Sequence, residues 1–242
     1  MQCTRQMTSS VPPLVLPSRD APSDRYLALL EMYKHVHTEG IAEQNISADD
    51  CFAGTSLGRH LQTIRKLIAA TGARTVLDYG SGKGVKYKAR NIKIKNERAE
   101  SVQHYWGVET ITCYDPGYGP YSALPRGQFD AVVCTDVLEH LPESDLPWIM
   151  EEQFRFAKRF VFGNIASYPA EKILPNGENA HCTIQDARWW HELIRKARDV
   201  ARSRADYLFL VETKKTVRQY FGLKKKVVPQ YEWLSSRADW RQ

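Results

Sequence analysis

A short glycine-rich turn carries the first residues that could do chemistry. Asp78 lies in an apolar stretch, Thr75–Tyr79, and Gly80, Gly82 and Gly84 follow in the pattern D-x-G-x-G-x-G. Glycine lets the backbone adopt positive φ and approach a ligand closely. The spacing is not the G-x-G-x-x-G of a dinucleotide site, and no Gly-Lys-Ser/Thr of a P-loop closes the turn. Because a carboxylate would also repel a pyrophosphate, the turn predicts a site for a ligand with a cationic amino group.

Two histidines and a second acidic turn lie farther along the chain. The segment Phe129–Glu143 reads FDAVVCTDVLEHLPE, in which Thr135 and Asp136 end a buried strand and His140 follows. His181 lies in a polar loop between a predicted strand and a predicted helix. An imidazole beside a substrate can act as a general base. For His140 a capping or core-edge role is the favoured alternative, and His181 could equally cap the next helix, so a catalytic role stays open for both.

Strands that alternate with helices must position these residues. Apolar residues at helical spacing predict one helix from Ser23 or Asp24 to near Gly40, and another from about Ser56 to Thr71. The predicted strands are Thr75–Tyr79, Ile111–Asp115, Phe129–Thr135, Phe160–Ile165 and Tyr207–Val211, with helices around Glu143–Ala157 and over Ala187–Arg202. Strands that are apolar along their whole length indicate a parallel sheet covered on both faces. The predicted fold class is α/β, a doubly wound sheet preceded by helices.

The chain is predicted to form one domain behind a loose arm. Residues 1–22 are rich in Pro, Ser and Thr and show little periodicity, so we expect a flexible N-terminal arm. Residues 23–242 are expected to form a single domain, with N-terminal helices over 23–72 and the sheet-bearing core over 73–242.

The composition excludes several classes of protein. With 242 residues, 43% of them hydrophobic and 26% charged, the chain is neither disordered nor a coiled coil. Its longest apolar runs are far too short to span a bilayer, and its first 20 residues contain no apolar signal segment. Five scattered cysteines form no C-x-x-C pair and no metal-ligand spacing. We therefore expect reduced thiols, a cytoplasmic protein and no metal site.

The net charge of +6 is concentrated in two stretches of the chain. Lys83–Arg98 contains seven Lys or Arg and one acid, and Arg195–Lys226 contains eleven Lys or Arg and three acids. These stretches could be solvated helix faces, or they could attract an anionic substrate such as RNA or DNA. A nucleic-acid partner stays possible but is not favoured, since the sequence shows no target-recognition domain, zinc site or RNA-binding signature.

Over roughly Ala73 to Val211 the chain resembles the class I S-adenosylmethionine-dependent methyltransferases. The resemblance rests on VLDYGSGKG at 76–84, on the acid Asp115 that ends a later strand, and on FDAVVCTDVLEHLPE. It implies a Rossmann-like methyltransferase fold and S-adenosylmethionine as the cofactor. It also implies a set of cofactor-binding residues: Asp78 facing the methionine amino end, Gly80, Ser81, Gly82 and Gly84 under the methionine and ribose, Asp115 on the ribose hydroxyls, and Thr135 and Asp136 beside the methyl donor.

The ribose ligand has a competitor within the sequence. Asp115 lies 37 residues after Asp78, farther than the usual roughly 20-residue interval, and Glu109 lies at a shorter interval. We favour Asp115, because ITCYD has the pattern of a strand and no helix fits between Glu109 and Ile111. The segment 116–128 is too short for a helix plus a strand, so we expect the third strand of the family to be missing or vestigial. The residues that would contact the adenine stay open.

The resemblance implies an enzyme that transfers a methyl group to O or N of a small metabolite, which could be anionic. Two alternatives remain: the same chemistry on RNA or DNA through the basic surface, and a non-catalytic protein with a methyltransferase-like fold. His181 and His140 are the candidate catalytic residues. The acceptor, the need for a general base and the oligomeric state cannot be read from the sequence.

Overall fold

The computed structural model describes residues 16–52, 54–219 and 224–241, and in it helices and strands alternate. The helices are α1 (Asp24–Glu39), α2 (Thr55–Thr71), α3 (Val85–Lys88), α4 (Val102–Trp106), α5 (Leu146–Phe156) and α6 (Ala187–Val200). The strands are β1 (Thr75–Tyr79), β2 (Ile92–Ile94), β3 (Glu97–Ala99), β4 (Thr110–Tyr114), β5 (Phe129–Thr135), β6 (Ala157–Ala166), β7 (Asp206–Gln219) and β8 (Lys224–Ser235). Short 3-10 turns include Gly119–Tyr121 and Leu138–His140.

Six of these strands form one sheet in the order β4-β1-β5-β6-β7-β8. All neighbours are parallel except β7 and β8, which are antiparallel. Helices cover both faces: one buried cluster joins the sheet to α5 and α6, and the other joins it to α2 and α4. The predicted α/β class with a doubly wound, mostly parallel, Rossmann-like sheet and N-terminal helices is thus confirmed.

The elements predicted from periodicity are close to those of the structure. Helix α1 begins where expected, because the Ser23 side chain accepts the Tyr26 N–H at 3.0 Å as an N-cap. Helix α2 ends at Gly72, whose φ is +66°. Helix α5 starts at Leu146, later than the predicted Glu143, because a turn first links the Asp145 N–H to the Pro142 carbonyl.

The basic stretch after the glycine-rich turn contains a very short helix and a hairpin, neither of which the periodicity predicts. The turn opens only the four-residue helix α3, after which Ala89 is extended and the chain enters the β2–β3 hairpin. Ile92 and Ile94 of this hairpin pack at the margin of the core beside α2 and α4. The stretch carries too few apolar residues at helical spacing to bury a longer helix.

The C-terminal strand β8 was not predicted from the sequence. It contains a run of lysines, for which strand propensity is low, and Pro229, which lacks an N–H. In the structure β8 is an edge strand of the described sheet, where such residues are tolerated and block further pairing. Its partner β7 extends well beyond the predicted Tyr207–Val211.

The segment between β4 and β5 confirms the expected loss of a strand. Residues 116–128 contain only the turn Gly119–Tyr121, and β4 is an edge of the described sheet. The carboxyl end of β4 is therefore followed by a short loop.

The predicted arm lies mostly outside the described residues, which begin at Leu16. In its described end, Arg19 donates to the hydroxyls of Tyr79 at 3.2 Å and Tyr114 at 3.1 Å, and to Glu152 at 2.7 Å. The Arg19 guanidinium also lies over the Trp148 ring. These contacts hold this short piece of chain against the sheet and α5.

None of the described helices combines the length and the apolar character that crossing a lipid bilayer requires.

Gly163 of β6 provides a test of the packing of the sheet. A Cβ at this position would lie 2.2 Å from Cδ1 of Phe209 on the neighbouring strand β7. We expect Gly163→Ala to lower the free energy of unfolding by about 1–3 kcal/mol in urea denaturation, because Phe209 is fully buried and has little room to move. Gly119→Ala is the control, since no atom lies within 4 Å of its Cβ position. Equal stability of both variants would contradict this account of the packing.

Candidate active site

The glycine-rich turn is tied to the end of the neighbouring strand β4. The backbone N–H groups of Gly80 and Ser81 both donate to the carbonyl of Tyr114, at 2.8 and 3.1 Å. Gly80 has a φ of +83°, and a Cβ there would lie 2.4 Å from Cγ2 of Val137. Glycine is therefore required at this position, both for its backbone conformation and for the close approach of the chain that follows β5.

Asp115 follows β4 and is joined to the same turn. Its Oδ2 accepts the N–H of Gly82 at 2.8 Å, and its Oδ1 accepts the N–H of Gly117 at 2.9 Å. Burial raises the pKa of Asp115, although these backbone donors oppose the rise. Each carboxylate oxygen has a second lone pair, so Asp115 can still accept two hydrogen bonds from a ligand.

The competing acid Glu109 lies near the amino ends of the strands, whereas the glycine-rich turn follows the carboxyl end of β1. It precedes β4, next to Thr110, which pairs with Thr75 at the beginning of β1. Its side chain is half exposed and forms an ion pair with Arg74. Because the glycine-rich turn follows the other end of β1, Glu109 cannot reach a ligand held there, whereas Asp115 can.

Asp78 lies beneath the turn, near the end of β1. It is 4% exposed, and its Oδ2 accepts the Tyr87 hydroxyl at 2.8 Å. Burial raises its pKa to about 7, and the nearby charge of Asp115 adds to the rise, whereas the Tyr87 hydrogen bond opposes it. A cationic group bound beside Asp78 would favour the ionised carboxylate.

Thr135 and Asp136 lie where β5 ends. The Asp136 N–H donates to the carbonyl of Asn164 on β6 at 3.1 Å, and the Asp136 backbone adopts a φ of +61°. Aspartate is one of the few non-glycine residues that adopt this conformation without a large penalty. The exposed Asp136 side chain and the half-buried Thr135 both line the cavity described below.

His140 and His181 face each other, with ring centroids 4.7 Å apart. Nδ1 of His181 lies 2.6 Å from the Tyr168 carbonyl, and Nδ1 of His140 lies 2.9 Å from the Ala180 carbonyl. Because a carbonyl can only accept, Nδ1 of His181 carries the hydrogen, and so does Nδ1 of His140 when it donates to Ala180 rather than accepting from the Tyr33 hydroxyl, which also lies 2.9 Å away. In these tautomers each Nε2 has a free lone pair in the neutral ring. Burial lowers the pKa of His140 to about 4, so its ring is neutral near pH 7.

One cavity of about 460 Å³ brings the predicted residues together. Its size is within the roughly 300–1,000 Å³ of small-molecule sites. The predicted residues on its wall are Asp78, Gly80, Ser81, Gly82, Gly84, Asp115, Thr135, Asp136, His140 and His181. Four segments far apart in sequence (78–84, Asp115, 135–140 and His181) therefore contribute to a single cavity at the carboxyl ends of the strands, where ligands bind in folds of this kind.

Helix α1 and the loop after it supply a cover that the sequence analysis missed. His37 stacks on Phe52 with ring centroids 4.2 Å apart, and Tyr33 packs against Phe52 edge-on. Burial lowers the pKa of His37 to about 4. Its Nε2 lies 3.9 Å from Oδ1 of Asp115, so α1 reaches the end of β4. Tyr33 and His37 are four residues apart and therefore lie on one face of α1. This spacing is equally typical of residues that pack in a core, so it does not by itself indicate a ligand site.

Lysines also line the cavity and were not singled out from the sequence. Lys86, Lys172 and Lys214 all contribute to its wall. The Lys214 ammonium lies over the Tyr168 ring at 4.2 Å, and that of Lys172 over the Phe52 ring at 5.4 Å. Acidic groups therefore lie under the glycine-rich turn, and cationic groups lie on other parts of the wall.

Comparisons with known proteins find similarity among solved structures. No family model matches the chain, and no curated protein matches it. A solved structure described as a DhpI–SAH complex is similar over 85% of this chain and 80% of its own, with 14% identity and a TM-score of 0.29. A likeness at this TM-score carries no argument about the function of the chain.

The titration of Asp78 tests the electrostatics of the cavity. We expect its carboxyl carbon, followed by ¹³C NMR, to titrate near pH 7 rather than near 4. Tyr87→Phe should raise this pKa further, because the Tyr87 hydroxyl stabilises the ionised form. Tyr105→Phe, in α4 within the buried cluster that joins the sheet to α2 and α4, serves as the control. A normal pKa in the wild type, or a lowered one in Tyr87→Phe, would contradict the assignment.

Proposed function

We propose that the chain is an S-adenosylmethionine-dependent methyltransferase that acts on O or N of a small metabolite. The observation that carries the proposal is the meeting of Asp78, Asp115 and the positive-φ glycine turn in one cavity. The motif resemblance selects these residues, and the fold brings their polar groups to the same edge of the sheet.

The residues present fit this cofactor. S-adenosylmethionine supplies a methyl group activated by a sulfonium, and it also carries an amino group and two ribose hydroxyls. Asp78 would face the amino end, and Asp115 would accept the ribose hydroxyls with its remaining lone pairs. Gly80, Ser81, Gly82 and Gly84 would form the floor, where the approach of Val137 and Phe52 leaves no room for a Cβ at Gly80 or Gly82.

The charge of the cavity supports a cationic ligand. The charge of Asp115 acts on the buried Asp78, and the side chain of Asp115 is only 15% exposed, so low solvent access strengthens the electrostatic effect of each carboxyl. Among the described residues, neither is paired with a lysine or arginine within 4.0 Å. A ligand with positive charge would offset the cost of ionising both carboxyls.

The far wall of the cavity would receive the methyl acceptor. Tyr33 and Phe52 cover this region and limit access of water, which favours alignment of two reactants. Nε2 of His140 and of His181 can accept a proton or a hydrogen bond from an acceptor. Lys172 and Lys214 on the same cavity wall support an anionic acceptor.

Methylation of RNA or DNA is the second candidate, supported by the exposed hairpin β2–β3 with its Lys93, Lys95 and Arg98. Binding whose affinity falls steeply with salt would favour this candidate, because phosphate contacts release counterions. A protein that binds S-adenosylmethionine but transfers no methyl group to any acceptor would instead be a binding protein.

Calorimetry with S-adenosylmethionine tests the cofactor site. We expect Asp115→Ala to weaken binding at least about 10-fold, since hydrogen bonds to a charged group contribute about 1.5–3 kcal/mol each. Glu109→Ala is the matched control and should bind as the wild type does, because Glu109 lies at the other edge of the sheet. Unchanged affinity in Asp115→Ala would overturn the ribose assignment, and absence of binding by the wild type would overturn the proposal.

His181→Ala tests the acceptor side of the cavity. We expect turnover to fall about 10²-fold or more while the affinity for S-adenosylmethionine is retained, because His181 lies on the acceptor wall. Turnover is measured on an acceptor found by screening metabolites with a labelled methyl donor. His191→Ala, remote from this cavity on α6, is the control. Loss of turnover and cofactor affinity together would indicate that His181 is structural.

A further inference from the structure

Four side chains with metal-ligating atoms gather at the end of β5. One ligand atom from each of Asp136, Glu139, His140 and His181 lies within 4.8 Å of all the others. The turn Leu138–His140 brings the first three together, and the loop before α6 adds His181. The expectation of no metal site was based on the spacing of the cysteines. None of these four residues is a cysteine, so that argument does not apply to this cluster.

One carboxylate oxygen of Glu139 lacks a hydrogen-bond partner among the described residues. The Glu139 side chain is fully buried; its Oε1 accepts the Ala166 N–H at 2.7 Å, whereas its Oε2 has no partner in the part of the chain that the structure describes. The carboxylate of Asp136 belongs to the same cluster as the Glu139 carboxyl. No lysine, arginine or histidine of the described residues forms an ion pair with Glu139 or Asp136. Two adjacent carboxyls without a cation are costly unless they share a proton or bind an ion.

The two imidazoles are oriented as metal ligands commonly are. In metal sites, a histidine usually donates its second ring N–H to a carbonyl or carboxylate, which fixes the ring and leaves the other nitrogen for the ion. His140 and His181 both make this contact through Nδ1, to the carbonyls of Ala180 and Tyr168. Their mutual edge-on packing keeps the two rings close together.

We propose that Asp136, Glu139, His140 and His181 bind one divalent first-row transition-metal ion of the Mn²⁺ or Zn²⁺ type. A mixed set of imidazoles and carboxylates suits these ions, whereas Mg²⁺ prefers oxygen ligands alone. Ligand atoms on opposite sides of an ion with bonds of about 2.1 Å are about 4.2 Å apart. A pair of ligands on opposite sides of the ion therefore needs to close by at most about 0.6 Å, and neighbouring ligands, which lie about 3.0–3.4 Å apart in such sites, by up to about 1.8 Å.

The site would also have an open side toward the cavity. Asp136, His140 and His181 all line the cavity wall, so an ion held by them would be accessible to a small molecule there. A divalent ion lowers the pKa of a hydroxyl that it binds. If the chain is a methyltransferase as proposed, the metal site assigns the oxygen of a hydroxyl compound as the methyl acceptor. The two histidines would then be metal ligands rather than free bases.

Titration of the metal-free protein with Mn²⁺ tests the site without any need for the acceptor. After treatment with EDTA and its removal, we expect calorimetry to show one Mn²⁺ per chain, and Mg²⁺ to bind at least about 10-fold more weakly. Asp136→Asn should weaken Mn²⁺ binding at least about 10-fold. This variant is expected to fold, because Asp136 is exposed and asparagine tolerates its φ of +61°. His35→Ala, at an exposed histidine of α1, is the control and should bind as the wild type does.

The electron paramagnetic resonance of Mn²⁺ provides the second measurement, since it separates bound from free ion in each variant. Glu139→Gln and His181→Ala should each leave more Mn²⁺ free than the wild type. The proposal is overturned if the wild type takes up neither Mn²⁺ nor Zn²⁺, or if Asp136→Asn and His181→Ala bind Mn²⁺ as tightly as the wild type. Because S-adenosylmethionine binding is measured separately on the metal-free protein, failure of the metal site and failure of the cofactor site give different results.

Discussion

The hydrogen bonds that join the glycine-rich turn to the end of β4 are the contact on which the candidate site depends. The Tyr114 carbonyl accepts two N–H groups of the turn, from Gly80 and Ser81, and the Asp115 carboxylate accepts a third from Gly82. Backbone groups buried at such a junction must be paired, which fixes the relative position of the two strand ends. Because Val137 then fills the space beside Gly80, the end of β5 is placed by the same junction.

This junction also explains the charge distribution of the cavity. It brings Asp78 and Asp115 close together under the turn, where burial disfavours their ionisation. The aromatic cover from α1 and Phe52 increases that burial, while Lys172 and Lys214 lie elsewhere on the wall. A pocket with an acidic floor and cationic groups on other parts of its wall suits two ligands of different charge, as transfer of a group from a cationic donor to an anionic acceptor requires.

Much of the fold could be predicted because the main strands are short, apolar and bounded by turn residues, and because α1 and α2 are capped and periodic. The prediction failed where local signals oppose the observed structure. Strand β8 contains lysines and Pro229, and it is a strand because β7 offers an edge for pairing. The hairpin β2–β3 has strands of only three residues, too short to show a period of two.

The sequence by itself determined which residues could bind a ligand, since the order Asp78, glycine turn, Asp115, Asp136 and the histidines is local information. Only the tertiary structure places Asp115 beside the glycine-rich turn and Glu109 near the amino ends of the strands, because this placement depends on which end of β4 each acid occupies. It alone also shows that Oε2 of the buried Glu139 has no hydrogen-bond partner among the described residues, and that His181 packs edge-on against His140. The contact between His140 and His181, which are 41 positions apart, depends on strand order and on burial. Neither strand order nor burial can be read from a local sequence pattern.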